Sequence, residues 1–229
     1  GDGNDILSGE EGNDTHFAGA GNDTVEAGLG DDFVDGGDGD DAISGGDGSD
    51  TLHGGPGAAE IFGHGGNDFI YGNTPVGPDE TASNRLYGDF QPGSTAEASL
   101  GIDGYDTIAG SGGADEIYGG GGNDIIDARG GQDYVEGGAG NDTIQAGAGV
   151  DYVIGEAGDD QIYGGSENDN RIGGSGNDLL DGGAGNDTLR GQSGNDTIYG
   201  QAGGDLIYGD EGIDTVDGGD DIDLIFGFS

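Results

Sequence analysis

An aspartate recurs at every ninth position through most of the chain. It stands at Asp5, Asp14, Asp23, Asp32, Asp41 and Asp50, gives way to Ala59, and returns at Asp68. After an interruption it runs through Asp106, Asp115, Asp124, Asp133, Asp142, Asp151, Asp160, Asp169, Asp178, Asp187, Asp196, Asp205, Asp214 and Asp223. These are 22 units, 21 of them with Asp at the reference position. Carboxylates stacked at a fixed period repel, by roughly 1 kcal/mol per neighbouring pair even at the dielectric of water. A divalent cation is the chemistry that offsets this. A bare turn preference would accept Asn or Ser at the reference position, yet Asn gathers one residue earlier, at Asn141, Asn177, Asn186 and Asn195.

Other chemistries find little support. There is no Cys, which excludes thiolate sites and disulfides. The histidines are His16, His53 and His64, none in an HExxH arrangement. Each is expected to be solvated, and no catalytic role is expected. "GGSGND" at Gly173–Asp178 lacks the strand-to-helix setting of a nucleophile elbow. Carboxylate pairs occur everywhere, so none stands out for acid–base work.

The elements that hold these aspartates follow from the neighbouring positions. Two residues before the reference is Gly, except at Glu167 and Asp221. Two residues after it is an aliphatic, from Leu7 to Ile225, except at His16 and Arg171. A nine-residue unit is too short for a helical hairpin. It accommodates a six-residue turn, where Gly supplies positive φ, and a three-residue strand with its middle residue inward. Two such units make an 18-residue coil, and coils stack about 4.8 Å apart in parallel pairing. Asp178, Asp196 and Asp214 then form a column on one edge, and Asp169, Asp187 and Asp205 on the other. Hard oxygens from carboxylates and glycine carbonyls, without N or S donors, select Ca²⁺ over Mg²⁺.

Composition agrees. Sixty of 229 residues are Gly, and 48 Asp plus Glu face four Arg and no Lys, for a net charge of −44. Such a chain is expected to be disordered without counter-ions and to fold as metal binds. A nucleic-acid partner is excluded by the absence of a basic surface. No apolar run has the length of a membrane span, and no signal-peptide pattern opens the chain. It begins inside a repeat, at "GDGND", and is expected to be a piece of a longer protein.

The units "GGAGNDTIQ" at Gly137–Gln145 and "GGDGSDTLH" at Gly45–His53 carry the pattern Gly-Gly-x-Gly-x-Asp-x-apolar-x. This resembles the RTX (repeats-in-toxin) family, or haemolysin-type calcium-binding repeats. The resemblance implies an all-β fold, a parallel β-roll or two-sheet solenoid with Ca²⁺ between turns. Each ion would take Asp carboxylates and loop carbonyls from two turns of one edge. One ion would bridge the Asp178 and Asp196 turns and another the Asp187 and Asp205 turns. Loop glycines such as Gly137, Gly140, Gly182, Gly185, Gly191 and Gly194 would contribute. If every gap within the two blocks is filled, about 18 ions are held. The family further implies type I secretion from a bacterium, unfolded, with folding in extracellular Ca²⁺ or at the cell surface. The role read from this is a structural spacer or assembly segment; the alternative is the secretion-and-folding module of an exported enzyme or toxin. Ice binding, known in some members, would need Thr three residues before the Asp, and no repeat has it.

The repeat is read as block 1 over 1–72, an insertion over 73–103 and block 2 over 104–229. Within the insertion "SNRLYGD" puts Asn84 at the reference position and Leu86 at the apolar one, making Asn84–Tyr87 a degenerate repeat. One continuous roll with two long loops is favoured over two rolls and a linker, because this strand preserves the alternation of edges. At "SENDNRIGG", alignment of Asn170 with Asn84 predicts a one-residue shift that turns Ile172 inward and Arg171 outward. Ala59 and Asp221 are each expected to weaken a site. On the outer strand faces, Tyr118, Tyr134, Tyr152 and Tyr208 share one side and Phe17, Phe33, Phe69 and Tyr71 another. Such aromatic rows fit self-association or docking, and equally the β preference of aromatics.

Overall fold

The computed structural model describes residues 1–72, 83–88 and 104–228. These form 23 strands and the turns between them, with no helix. Each strand pairs in parallel with the next but one, so the strands divide into a sheet of 12 and a sheet of 11. The register step is one 18-residue coil: Tyr134 lies beside Tyr152, and Val135 beside Val153. Among the described residues no helix is long and apolar enough to cross a membrane.

Period-two alternation puts the aliphatic of each unit inside. Val34, Leu52, Ile70, Ile108, Ile126, Ile144 and Ile162 line one sheet at 0–1% exposure. Ile43, Ile61, Leu86, Ile117, Val135 and Val153 line the other. Burial of such a side chain stabilises by about 2 kcal/mol.

Many strands are longer than the three residues expected. Tyr134–Ala139 has six, "YVEGGA", and runs on through the glycine pair, so that Gly137 takes a second inward position. The true turn is correspondingly short. It uses left-handed backbone at two places, as at Gly138 (φ 110°) and Gly140 (φ 136°). Seven other residues occupy the first place with positive φ, namely Glu10, His64, Arg129, Glu156, Gln192, Gln201 and Asp210. Glu167 and Asp221 occupy the second. Such strain costs about 1 kcal/mol or more per residue, and it is held by the ladder on either side.

Both sheets pass through the interruption. In one, Ile61, Leu86 and Ile117 follow each other through the strand Arg85–Tyr87. In the other, Ile70 is followed directly by Ile108. The long loops expected to either side, with Pro75, Pro78 and Pro92, lie outside the described residues.

The expected shift at Arg171 does not occur. Arg171 stays in register between Val153 and Leu189 and is fully buried, while Ile172 is half-buried on the outer face. A one-residue slip would exchange every side chain of the strand between faces and break parallel pairing on both sides. Keeping the register buries a guanidinium instead. The apolar core divides here, into a cluster from Ala18 to Ile162 and a second of Leu180, Leu189, Ile198 and Ile207.

On the outer face, Phe62, Tyr87, Tyr118, Tyr134 and Tyr152 form a contiguous row, with ring centroids 4.6, 5.1, 5.9 and 5.6 Å apart, stacked except for the tilted Tyr118–Tyr134 pair. Phe62 and Tyr87 thus extend the row read from the sequence. On the other sheet His53 lies between Phe33 and Tyr71; His64, on the sheet of the aromatic row, stacks on Phe62 and bonds Ser44 Oγ at 2.9 Å. Neither histidine is the solvated side chain expected.

Candidate metal site

The reference aspartates form two columns, one at the start of each sheet's strands. Their side chains turn inward, and from Asp23 to Asp205 they are at most 3% exposed. One oxygen of each is spent on the backbone of the turn before. Asp124 N–H donates to Asp142 Oδ1 at 2.8 Å, and Asp142 N–H to Asp160 Oδ1 at 2.8 Å. From Asp14 to Asp214 this column has ten consecutive bonds of 2.7–3.1 Å, including Asp68 N–H to Asp106 Oδ1 across the interruption. The second column runs from Asp5 through Asp23 to Asp41, and from Asp115 through Asp133, Asp151, Asp169, Asp187 and Asp205 to Asp223. Between these stretches Ala59 has no carboxylate to offer. Asn84 carries the ladder there, accepting from Ala59 N–H at 3.0 Å and donating its own N–H to Asp115 Oδ1 at 2.6 Å.

The other oxygen has a different setting. Oδ2 of Asp23, Asp41, Asp50, Asp133, Asp142, Asp160, Asp178 and Asp196 is buried and accepts no hydrogen bond. In six of these it projects over the glycine five residues earlier; five residues before Asp23 and Asp133 stand the buried Ala18 and Ala128. A methyl group at Gly137 would lie 2.5 Å from Asp142 Oδ2 and 3.0 Å from the Gly155 carbonyl oxygen one coil on. One at Gly36 would lie 2.5 Å from Asp41 Oδ2 and 2.7 Å from the Gly54 carbonyl. The absent side chain leaves a cradle walled by a carboxylate oxygen and a carbonyl oxygen. Gly182 and Gly191 sit in the same way, below Asp187 and Asp196. Gly140, Gly185 and Gly194 are instead the positive-φ residues of the turns.

Burial without compensation raises the carboxylate pKa values. Desolvation pushes Asp133, Asp160 and Asp169 up to about 7, and Asp41, Asp50, Asp142 and Asp178 up to about 6. The backbone N–H bond opposes the rise in each case. Neighbouring carboxylates add to it at Asp133 and Asp160. A column of buried oxygens in this state calls for protons or for cations. Among the described residues no three His, Cys, Asp or Glu side chains converge on one point. A cation here would therefore be held by carboxylates and main-chain carbonyls together, the hard-oxygen set that suits Ca²⁺.

Not every predicted residue is placed alike. Asp115 Oδ2 accepts from Ser111 N–H at 2.6 Å and its Oδ1 from Asn84 N–H, so both of its oxygens are engaged. Asp5 Oδ2 pairs with the Gly1 ammonium at 3.3 Å, and Asp5, Asp214 and Asp223 are more open, in the outermost coils. A second ladder was not foreseen. The residue before the reference runs in the opposite sense, with Asn141 N–H donating to Asn123 Oδ1 at 2.8 Å and Asn195 N–H to Asn177 Oδ1 at 3.0 Å. The recurrence of Asn there was the available signal.

The sequence matches the family model described as RTX calcium-binding nonapeptide repeat (4 copies). The matched residues are 1–25, 17–52, 44–74, 100–135, 136–170, 172–207 and 208–229. A search of curated proteins gave no match.

Proposed function

This chain belongs to the RTX calcium-binding nonapeptide repeat family, whose members bind Ca²⁺, and on that premise we propose that its two aspartate columns hold Ca²⁺ between coils and that the metal drives folding. The observation that carries this is the row of buried Oδ2 atoms without hydrogen bonds, most of them above a glycine cradle. Oδ1 ties each turn to the one before, and Oδ2 is left for an ion. Where glycine stands at −5 it keeps the cradle open, and a main-chain carbonyl one coil on supplies a second oxygen. When bound, Ca²⁺ supplies the positive charge that a chain of net charge −44 lacks.

Function follows from this coupling. Without metal, inward carboxylates oppose collapse, and ordering a chain with 60 glycines is costly in entropy. Extracellular modules bind Ca²⁺ at about 10⁻⁴ to 10⁻³ M, above cytosolic levels. The chain would stay unfolded inside a bacterial cell and roll up outside it, as a rigid spacer or assembly segment of a secreted or surface protein. Calorimetric titration with Ca²⁺, followed in parallel by far-ultraviolet circular dichroism, tests this. Strand signal should rise with bound ion. A full strand signal in excess chelator at neutral pH would contradict it.

A further inference from the structure

Two of the 22 units depart from the aliphatic at the inward position, His16 and Arg171. Each directs a nitrogen into its own repeat's cradle. His16 Nε2 comes within 3.0 Å of where a methyl on Gly9 would lie, beside Asp14 Oδ2. Arg171 goes further. Its guanidinium fills the space over Gly164 that a side chain there would need. Its Nη2 donates to Asp169 Oδ2, and its Nη1 lies 3.7 Å from Asp187 Oδ2, one coil on. All three side chains are fully buried.

Arg171 is the one buried arginine of the chain's four; Arg85 and Arg190 are exposed and pair with surface carboxylates. Burying a guanidinium in an apolar row is unfavourable unless carboxylates face it. The same two Oδ2 atoms that face it are, under the proposed function, ligands of an ion. A guanidinium and a Ca²⁺ ion compete for one set of oxygens within one cradle.

Resting on the calcium reading above, we propose that Arg171 is a resident cation that replaces Ca²⁺ at the step between the Asp169 and Asp187 turns. That step closes without metal, while its neighbours in both columns require it. The column that holds Asp169 and Asp187 is thereby divided into two calcium-loaded stretches, at the point where the apolar core also divides, while the other column runs on unbroken.

The test has two arms. Wild-type protein crystallised with Ca²⁺ should give anomalous peaks at the Asp160–Asp178 and Asp178–Asp196 steps and none between Asp169 and Asp187. A peak between Asp169 and Asp187 overturns the inference. Peaks at no step would instead retire the calcium reading, which separates the two failures. In the second arm, native mass spectrometry counts ions on wild type and on Arg171→Ile, which restores the repeat's usual aliphatic. The variant should carry one more Ca²⁺ per chain. An unchanged count in a folded variant overturns the inference, and if the variant does not fold, the crystallographic arm decides alone.

Discussion

Asp106 lies one coil beyond Asp68, although 38 residues separate them, and its Oδ1 accepts the Asp68 N–H at 2.7 Å. The same bond joins residues 18 apart elsewhere in the column. The ladder of this column therefore passes directly from one block to the other. Asn84 follows Asp68 by 16 residues and precedes Asp106 by 22, where nine and nine would suffice. Removing seven residues within 73–82 and 13 within 89–103 restores strict phase. The shortened protein should fold at an unchanged Ca²⁺ midpoint by circular dichroism. A midpoint raised tenfold would show that the insertion is part of the metal-binding roll.

The two oxygens of each aspartate have separable tasks. Asp142→Asn retains an Oδ1 acceptor for Asp124 N–H, as Asn84 does for Ala59, but removes the charge at Oδ2. It should fold, with at least one ion fewer. Asp142→Ala removes both, leaves the buried Asp124 N–H without an acceptor, and should lose a further 1–3 kcal/mol, about the cost of such an orphan. Equal effects of the two variants on stability in saturating Ca²⁺ would show that the Oδ1 bond contributes nothing.

Gly137→Ala tests the cradle without invoking left-handed backbone, since Gly137 does not have positive φ. Its methyl would crowd Asp142 Oδ2 and the Gly155 carbonyl. Calcium affinity at that step should fall while the secondary structure in saturating Ca²⁺ is retained. Gly138→Ala, at φ 110°, should instead cost stability at every Ca²⁺ concentration. Calorimetric titration beside thermal melts distinguishes the two patterns.

Protons should partly replace the metal. Asp41, Asp50, Asp133, Asp142, Asp160, Asp169 and Asp178 have folded-state pKa values of about 6 to 7 against 3.8, so the metal-free roll binds more protons than the unfolded chain. Its stability is fullest below about pH 4 and is lost as pH rises through 6 to 7. In chelator, circular dichroism should report strand gained on acidification from pH 7.5 to 4.5. Calcium must displace those protons, so its midpoint should rise as pH falls. A chelated chain equally unfolded at both pH values would contradict this.

The fold was legible because three positions of each repeat act independently. Leu86 is legible even within a long interruption, because "SNRLYGD" keeps Asn84 and Leu86 two residues apart as reference and inward positions. The two oxygens of each carboxylate were not legible, because periodicity locates a side chain and not its hydrogen bonds. Arg171 was read outward for a related reason. Its partners Asp169 and Asp187 lie two residues away and one coil away, and only the stacked structure brings both within reach of the guanidinium. The strand length was underestimated because glycine, a turn former in sequence, here continues a parallel ladder at inward positions such as Gly137.

Sedimentation velocity across a Ca²⁺ titration, with Mg²⁺ as control, tests the central claim most directly. The account predicts an expanded chain in chelator, compaction as Ca²⁺ rises, and little change with Mg²⁺ at the same concentration. A chain already compact in chelator at neutral pH, or compacted equally by Mg²⁺, would contradict it.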